Sequence, residues 1–126
     1  MRNYQIVSDI SILLVLAPKL EQEMTTEMQE KFTEILRGEL TAMNVYLLSA
    51  VFEESHHLFK LVTPPQVSPL TAVDIVMEAV TPRFIQCFEE LKGWGSIYHD
   101  RVFIKTGEEI SDQQLSDLLS FSLSDI

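Results

Sequence analysis

Two neighbouring histidines stand beside two acidic residues in the middle of the chain. His56 and His57 follow Glu53 and Glu54, and imidazole and carboxylate groups are those that proteins use to bind metals and to transfer protons. A metal site needs three or four converging ligands, whereas adjacent residues of a strand point to opposite faces of the sheet. We therefore interpret this cluster as a polar turn and predict no metal site, with a catalytic use of either histidine as the alternative.

The third histidine of the chain, His99, precedes Asp100. A carboxylate can orient an imidazole for proton transfer, but these side chains would diverge on a strand, and no motif ties a serine or cysteine nucleophile to them. The sequence also lacks a glycine-rich phosphate loop and a nucleotide-binding fingerprint. It therefore predicts no catalytic residues and no cofactor, and a small enzyme that uses His56, His57 or His99 is a less favoured alternative.

Two further side chains with reactive or anchoring character lie near the end of one predicted helix. Cys87 falls beside the apolar stripe of that helix, so we expect it to pack in the core. It is the one cysteine of the chain, so the fold does not depend on a disulfide and a cytoplasmic location is expected. Trp94 lies between two glycines, where it would cover the end of the core or anchor a partner, since tryptophan is enriched in binding hot spots.

The charge balance indicates the class of partner. Nine lysines and arginines against 19 aspartates and glutamates give a net charge of −10, and such a field repels nucleic-acid phosphates and anionic lipids. The apolar run at residues 10–17 is too short for a bilayer, which takes about 20 residues. These features predict a basic protein as the partner, with no direct nucleic acid and no membrane. The expected contact residues are Trp94 and the acidic residues Glu108, Glu109, Asp112 and Asp117.

The first half of the chain predicts a strand, a helix and a hairpin. Residues 10–17 suit a buried strand, and residues 19–40 have apolar side chains at three- and four-residue spacing, the pattern of an amphipathic helix that Gly38 would end. Residues 45–52 and 58–62 are rich in branched and aromatic side chains and predict two strands. Residues 43–62 also fit one helix. The signal for the hairpin is weakest at its turn, where no glycine, asparagine or aspartate stands.

The second half predicts a long helix, a strand and a terminal helix. Ser68 followed by Pro69 is typical of a helix start. Pro82 predicts a kink, or a restart with Thr81 as a new cap, because proline removes one backbone hydrogen bond. Residues 97–105 then predict a half-exposed strand, and a capping box at Ser111 begins a terminal helix. One face of the strand would carry Arg101, Phe103 and Lys105.

Together these elements predict one α+β domain over residues 1–126. The order strand, helix, strand, strand, helix, strand fits a ferredoxin-like βαββαβ sandwich, here with an extra C-terminal helix. The alternative is a mostly α-helical bundle with a small β element, which the shortage of glycine favours. In the sandwich, the Val45–Phe52 segment would form a sheet edge without one charge to deter pairing. The candidate residues for a homo-oligomer through this edge are Tyr46, Leu48 and Phe52.

Size, charge and the lack of a catalytic motif predict a non-enzymatic, acidic protein-binding domain. An inhibitor or immunity-type neutraliser of a basic, nuclease-like partner, or a phage or viral antagonist, is the leading hypothesis. An oligomeric regulatory domain that binds a small ligand is one alternative, and the small histidine-dependent enzyme is the other.

Overall fold

The computed structural model describes residues 9–20 and 22–106, which form a four-stranded antiparallel sheet and the helices that pack on it. In chain order the elements are β1 (Ile10–Pro18), α1 (Thr26–Thr41), β2 (Tyr46–Phe52), β3 (His57–Thr63), α2 (Pro69–Asp74), α3 (Thr81–Gln86) and β4 (Tyr98–Thr106). The predicted ferredoxin-like α+β fold is confirmed. The helical-bundle alternative is wrong because residues 43–62 form most of a β-hairpin. The predicted C-terminal helix lies outside the described residues.

The strand order β2-β3-β1-β4 places two central strands between two edge strands. β3 pairs antiparallel with both β1 and β2, so β1 and β2 run parallel and α1 crosses over to join them. At the centre of the sheet, Leu14 pairs with Phe59 on β3 and with Ile104 on β4. Because side chains alternate along each strand, this register fixes which residues share a face.

α1 begins at Thr26, later than the predicted start at residue 19. Thr25 caps the helix: its hydroxyl accepts a hydrogen bond from the Met28 amide at 3.1 Å, and this cap decides the start where apolar spacing does not. The predicted end at Gly38 is also wrong, since the helix continues to Thr41. The chain then turns at Asn44, whose φ of 60° is a left-handed conformation that asparagine tolerates.

The second helical segment starts at its predicted cap and changes type before Pro82. The Ser68 hydroxyl accepts a hydrogen bond from the Thr71 amide at 3.1 Å. At Ile75–Val80 the helix widens into a π-helical turn, and the Thr81 hydroxyl donates to the Val76 carbonyl at 2.8 Å. The wider turn accommodates Pro82, which has no amide hydrogen and crowds the carbonyl four residues earlier. The α-helix resumes at Thr81 without the side-chain cap that the sequence predicts.

Cys87 lies at the surface, so the prediction that it packs in the core is wrong. Its thiol donates to the Arg83 carbonyl at 3.3 Å. Phe84 remains buried after the π-helical turn, but α3 ends at Gln86, so the helical period no longer sets the direction of Cys87. A short 3₁₀ turn, Glu89–Leu91, then leads toward β4.

The core lies between the helices and one face of the sheet, which we call the helix face. Phe32 of α1 is central to it and meets Phe59, Phe84 and Tyr98 at ring-centroid distances of 5.6, 5.1 and 6.0 Å. The opposite side of the sheet is called the far face. From β1, β3 and β4 the register places there Leu13, Val15, Leu58, Lys60, Val62, Phe103 and Lys105. Within the described ranges, no helix has both the length and the apolar character needed to cross a membrane.

Candidate functional site

The two adjacent histidines lie in different environments. His57 is the first residue of β3 and is 2% exposed, whereas His56 belongs to the preceding turn and is partly exposed. Their interpretation as a polar turn is therefore wrong for His57. His56 lies with its Nδ1 3.1 Å from the Ser55 hydroxyl, and partial burial lowers its pKa against an opposing effect of Glu53. Among residues 9–20 and 22–106, no group of three His, Cys, Asp or Glu side chains could hold a metal ion.

His57 forms a buried hydrogen bond with Tyr98. Nδ1 of His57 lies 2.7 Å from the Tyr98 hydroxyl oxygen, and the ring of Phe52 meets the imidazole at 4.9 Å. The register explains the contact, because Leu16 of β1 pairs with His57 on one side while Pro18 pairs with Tyr98 on the other. The two side chains therefore reach each other across β1 on the helix face.

Burial sets the protonation state of both partners. It lowers the pKa of His57 from 6.5 to about 3, with a smaller contribution from His56, and it raises the pKa of Tyr98 well above its ordinary value. Both groups are therefore neutral at neutral pH, and the imidazole tautomer decides which of them donates. The bond satisfies two polar groups that would be costly to bury alone.

The chemistry of this pair is limited by its position. A tyrosine hydroxyl beside an imidazole base is an arrangement that can produce a nucleophile. Tyr98 is 0% exposed and His57 is 2% exposed, so a substrate does not reach either group in this conformation. We conclude that the pair stabilises the contact between β3 and β4 across β1. His99 lies on the far face at the start of β4, and the neighbouring Asp100 alternates away from it.

The far face carries a concentration of positive charge. Lys60 of β3 and Lys105 of β4 both pair with Leu13 of β1, so the two lysines flank it. Strands lie about 4.8 Å apart, which places the Cα atoms of the two lysines about 10 Å from each other. Arg101 adds a third positive charge on β4. These are three of the nine lysines and arginines of the chain.

Apolar side chains lie between these charges. Leu13, Val15 and Ala17 are each 1% exposed although they point away from the helices. Val15 is flanked by Leu58 on β3 and by Phe103 on β4. Arg101, Phe103 and Lys105 make further interactions within the molecule. The middle of the far face is therefore covered, and the residues of this face that can reach a ligand are the partly exposed Lys60, Phe103 and Lys105. They combine cations that suit phosphates with an aromatic ring that suits bases.

The predicted oligomer edge lies at one margin of the sheet. Tyr46 and Leu48 of β2 are 66% and 51% exposed, whereas Phe52 turns inward and packs edge-on against Phe32. Trp94, predicted to contact a partner, is 38% exposed in the loop before β4. The predicted acidic contact residues Glu108, Glu109, Asp112 and Asp117 lie outside the described part of the chain.

Sequence reasoning missed Tyr98 and Lys60. The partner of Tyr98 is 41 positions away, and no local pattern signals a pair at that distance. Lys60 carried a usable signal, because it is the one lysine or arginine within the apolar run of β3. Strand alternation had already placed Arg101 and Lys105 together. The strand order and register, with β1 between β3 and β4, are what show that Lys60 and Lys105 share one side of the sheet.

Comparison with known proteins identifies a similar fold. No family model matches the sequence, and no curated protein matches it. The structure is similar to the crystal structure of a candidate transposase from Deinococcus radiodurans R1, with a TM-score of 0.74 and 18% sequence identity. The similarity covers 98% of this chain and 95% of that chain. At this identity it shows that the two proteins share a fold.

This similarity corrects two predictions. A non-enzymatic inhibitor or immunity-type protein conflicts with a match over nearly the whole chain to a candidate transposase, because transposases are enzymes. The prediction that the chain is not an enzyme is corrected for the same reason. Both rested on net charge and on the lack of a short motif, and neither property reports the charge on one face of a sheet.

Proposed function

We propose that this chain is a DNA-acting enzyme of the transposase type, one that cuts or joins phosphodiester bonds. The structural similarity carries the proposal, since it extends over 98% of this chain and 95% of a candidate transposase. An enzyme of this class must hold the phosphates of its substrate close to a rigid scaffold. The far face of the sheet supports the proposal because it offers both the scaffold and the charge.

The far face is the surface that we assign to DNA. Lys60, Arg101 and Lys105 supply positive charge for phosphate contacts, and they stand on paired strands that fix their spacing. Phe103 lies between Arg101 and Lys105 along β4, where an aromatic ring can stack on the bases of a single strand. The proposal draws on the placement and charge of these residues. Arg101, Phe103 and Lys105 also interact within the molecule, and contacts to DNA would have to compete with those interactions.

The net charge of −10 is the main argument against DNA as a ligand. Exposed charges are screened beyond about 8 Å at physiological ionic strength, whereas a phosphate held by a lysine interacts at contact distance. The local charge of the far face therefore outweighs the charges on the remainder of the surface. The sequence-based prediction that the chain avoids nucleic acid is untested, and a binding measurement decides between it and this proposal.

Lys60→Gln tests the assigned surface. We expect the unaltered protein to bind labelled single- or double-stranded DNA with an affinity that falls with salt. The slope of log K against log salt should be smaller by about 1 in the variant, because one phosphate contact is lost. Lys92→Gln is the matched control, since Lys92 pairs with Glu89 at 2.7 Å in the helical layer. Equal slopes in both variants would remove the far face from the proposal, and no binding at low salt would overturn the proposal itself.

Catalysis requires a separate measurement. We expect end-labelled DNA incubated with the protein to yield cleaved or joined strands, in the presence or absence of magnesium. The double variant His57→Phe, Tyr98→Phe should retain this activity, because both groups are buried away from the far face. Binding without any product under these conditions would contradict the enzymatic part of the proposal.

A cytoplasmic location belongs to the same proposal. The chain has a single cysteine and so needs no oxidising compartment for a disulfide. Fractionation of cells that express the tagged protein checks the location, and recovery with the membrane pellet or the secreted fraction would contradict it.

A further inference from the structure

The buried centre of the far face has no covering element among residues 9–20 and 22–106. Leu13 and Val15 of β1 lie there and are each 1% exposed. Side chains of a strand stand roughly perpendicular to the sheet, so the neighbouring strands flank these two residues rather than cover them. The helices of the described ranges pack on the helix face, and apolar residues of the connecting loops join the same core, among them Met24, Val67 and Ile97. The cover is therefore to be sought outside the described residues.

The exposure of the strands shows where on the far face this cover lies. Tyr46 and Val51 of β2 share the far face and are 66% and 40% exposed, so the cover does not reach that edge. On β4, the other edge strand, Phe103 and Lys105 are only partly exposed, whereas Ile104 between them on the helix face is 43% exposed. Phe103 and Lys105 also interact within the molecule. β4 is therefore more covered on the far face than on the side that the helices occupy.

The chain leaves β4 directly beside this buried centre. β4 ends at Thr106, which pairs with Ile12, the neighbour of Leu13 on β1. Residues 107–126 follow, and they lie outside the described part of the chain. A helix over residues 111–124, where the sequence predicts one, would be about 20 Å long at 1.5 Å per residue. Four strands span about 14 Å, so this segment is long enough to cross the far face.

The composition of residues 107–126 matches the far face in charge and in apolar character. The segment contains five acidic residues and no basic one, whereas Lys60 and Lys105 are the charged residues that the register places on this face. Its leucines recur at three- and four-residue spacing, which would put them on one side of a helix: Leu115, Leu118, Leu119 and Leu123. Residues 1–8 are the other candidate, but they carry Arg2 and no acidic residue, so the two lysines would repel them.

We propose that residues 107–126 dock on the far face of their own sheet and regulate its access to DNA. The leucines of the segment cover Leu13 and Val15, and its carboxylates lie beside Lys60 and Lys105. These carboxylates compete with phosphates for the same two lysines, and a tethered group competes at an effective concentration on the order of millimolar. DNA therefore binds only to the extent that it displaces the carboxylates. The docking is independent of the proposed function, whereas the competition rests on it.

Carbodiimide cross-linking of the full chain tests the docking. The reagent joins a lysine amine to a carboxylate in contact with it, with loss of water, and mass spectrometry identifies the linked peptides. We expect Lys60 to be linked to carboxylates of residues 107–126 in the monomer fraction, although the two are far apart in the sequence. The link between Lys92 and Glu89, which lie 2.7 Å apart, is the internal control. If the control link forms and Lys60 has no link to this segment, the proposal is overturned, as it is by links found only in a covalent dimer.

Replacement of two leucines tests the apolar part of the docking. Leu118→Ser combined with Leu119→Ser should lose most of the Lys60 links and keep the control link, because less apolar surface is buried when the segment docks. Leu48→Ser combined with Leu70→Ser is the matched control, since these leucines are 51% and 65% exposed and lie away from the buried centre. It should retain the Lys60 links. Lys60 links that persist undiminished in the Leu118 and Leu119 variant would overturn the docking.

Neutralisation of the segment tests the competition with DNA. One full-length variant carries four changes in the segment: Glu108→Gln, Glu109→Gln, Asp112→Asn and Asp117→Asn. The matched control removes the same charge from exposed positions of the helical layer: Glu27→Gln, Glu30→Gln, Glu78→Gln and Glu90→Gln. We expect the dissociation constant for labelled DNA to fall by about tenfold or more in the first variant and by less than about threefold in the second, whose charges are screened from the far face.

The outcomes separate this inference from the proposed function. Equal gains in DNA affinity for the two neutralised variants would overturn the competition, because total charge rather than the docked segment would then control binding. Lys60 links in a protein that binds no DNA in any variant would support the docking and overturn the proposed function instead.

Discussion

The two faces of the sheet use the same strands for different purposes. On β3, His57, Phe59 and Leu61 point to the helix face and are 2%, 0% and 0% exposed, whereas Lys60 points to the far face and is only partly buried. Because strand side chains alternate, one strand contributes to the core and to a charged surface at once. We therefore expect substitutions on the helix face to act on stability, and substitutions on the far face to act on binding.

Phe32→Ala should have the largest effect on the helix face. Phe32 is 0% exposed and its ring contacts aromatic rings of three strands and of α3. Its loss leaves a cavity in the core, and such changes lower the free energy of unfolding by about 3–5 kcal/mol. Leu70→Ala is the control, because Leu70 is 65% exposed; urea unfolding should show a change below about 0.5 kcal/mol for it. Similar losses in both variants would contradict the described core.

His57→Phe tests the buried polar pair of His57 and Tyr98 on the same face. The variant keeps a ring in place but leaves the Tyr98 hydroxyl without its hydrogen-bond partner, and a buried unsatisfied group costs about 1–3 kcal/mol. Adding Tyr98→Phe removes the second polar group, so the double variant should recover most of the lost stability in urea unfolding. A double variant that is less stable than His57→Phe would show that the hydrogen bond is not the source of the loss.

The same pair predicts a dependence of stability on pH. Burial lowers the pKa of His57 from 6.5 to about 3, so below pH 6.5 the unfolded chain binds a proton that the native state does not. The contribution of this group is therefore complete above the unfolded pKa and is lost by up to about 1.4 kcal/mol per pH unit as the pH falls toward the native pKa. The double variant should show a shallower loss in this window. Because carboxylates titrate in both proteins, the difference between the two curves isolates His57, and identical curves would contradict the lowered pKa.

The helix face was predictable from the sequence because burial produces a periodic pattern. The apolar run at residues 10–17 gave β1 almost to its observed end at Pro18. The start of α1 was not predictable from that pattern, since Thr25 decides it through one hydrogen bond. The π-helical turn before Pro82 was also missed, because a local change of helical period is not visible in the spacing of apolar residues. The end of α3 at Gln86, directly before the exposed Cys87, was missed as well.

The far face was predictable only within single strands. Alternation placed Arg101 and Lys105 on one side of β4, but their position beside Lys60 depends on strand order, which is a long-range property of the fold. Net charge led to the wrong function because it sums over the whole surface. A total of −10 does not reveal that Lys60 and Lys105 flank the same residue of β1 on one face. The local distribution of charge, rather than its total, determines which ligand a surface accepts.

The smallest expected change in stability belongs to the far face, and it separates the two faces within one strand. Lys60→Gln should alter the free energy of unfolding by less than about 0.5 kcal/mol, since Lys60 is partly exposed and takes part in no ion pair of the described ranges. Leu61, the next residue, is 0% exposed, and Leu61→Gln buries an amide without partners, which alone costs about 1–3 kcal/mol.

Urea unfolding and DNA binding, measured for both variants, compare the two faces directly. Weaker DNA binding by Lys60→Gln at unchanged stability would assign binding to one side of β3 and folding to the other. If Lys60→Gln instead destabilises the protein as much as Leu61→Gln does, the lysine on the far face is a structural element. Its charge would then no longer support a surface for DNA. The assignment of binding to the far face and of stability to the helix face would also be wrong at Lys60, which is the residue chosen to test it.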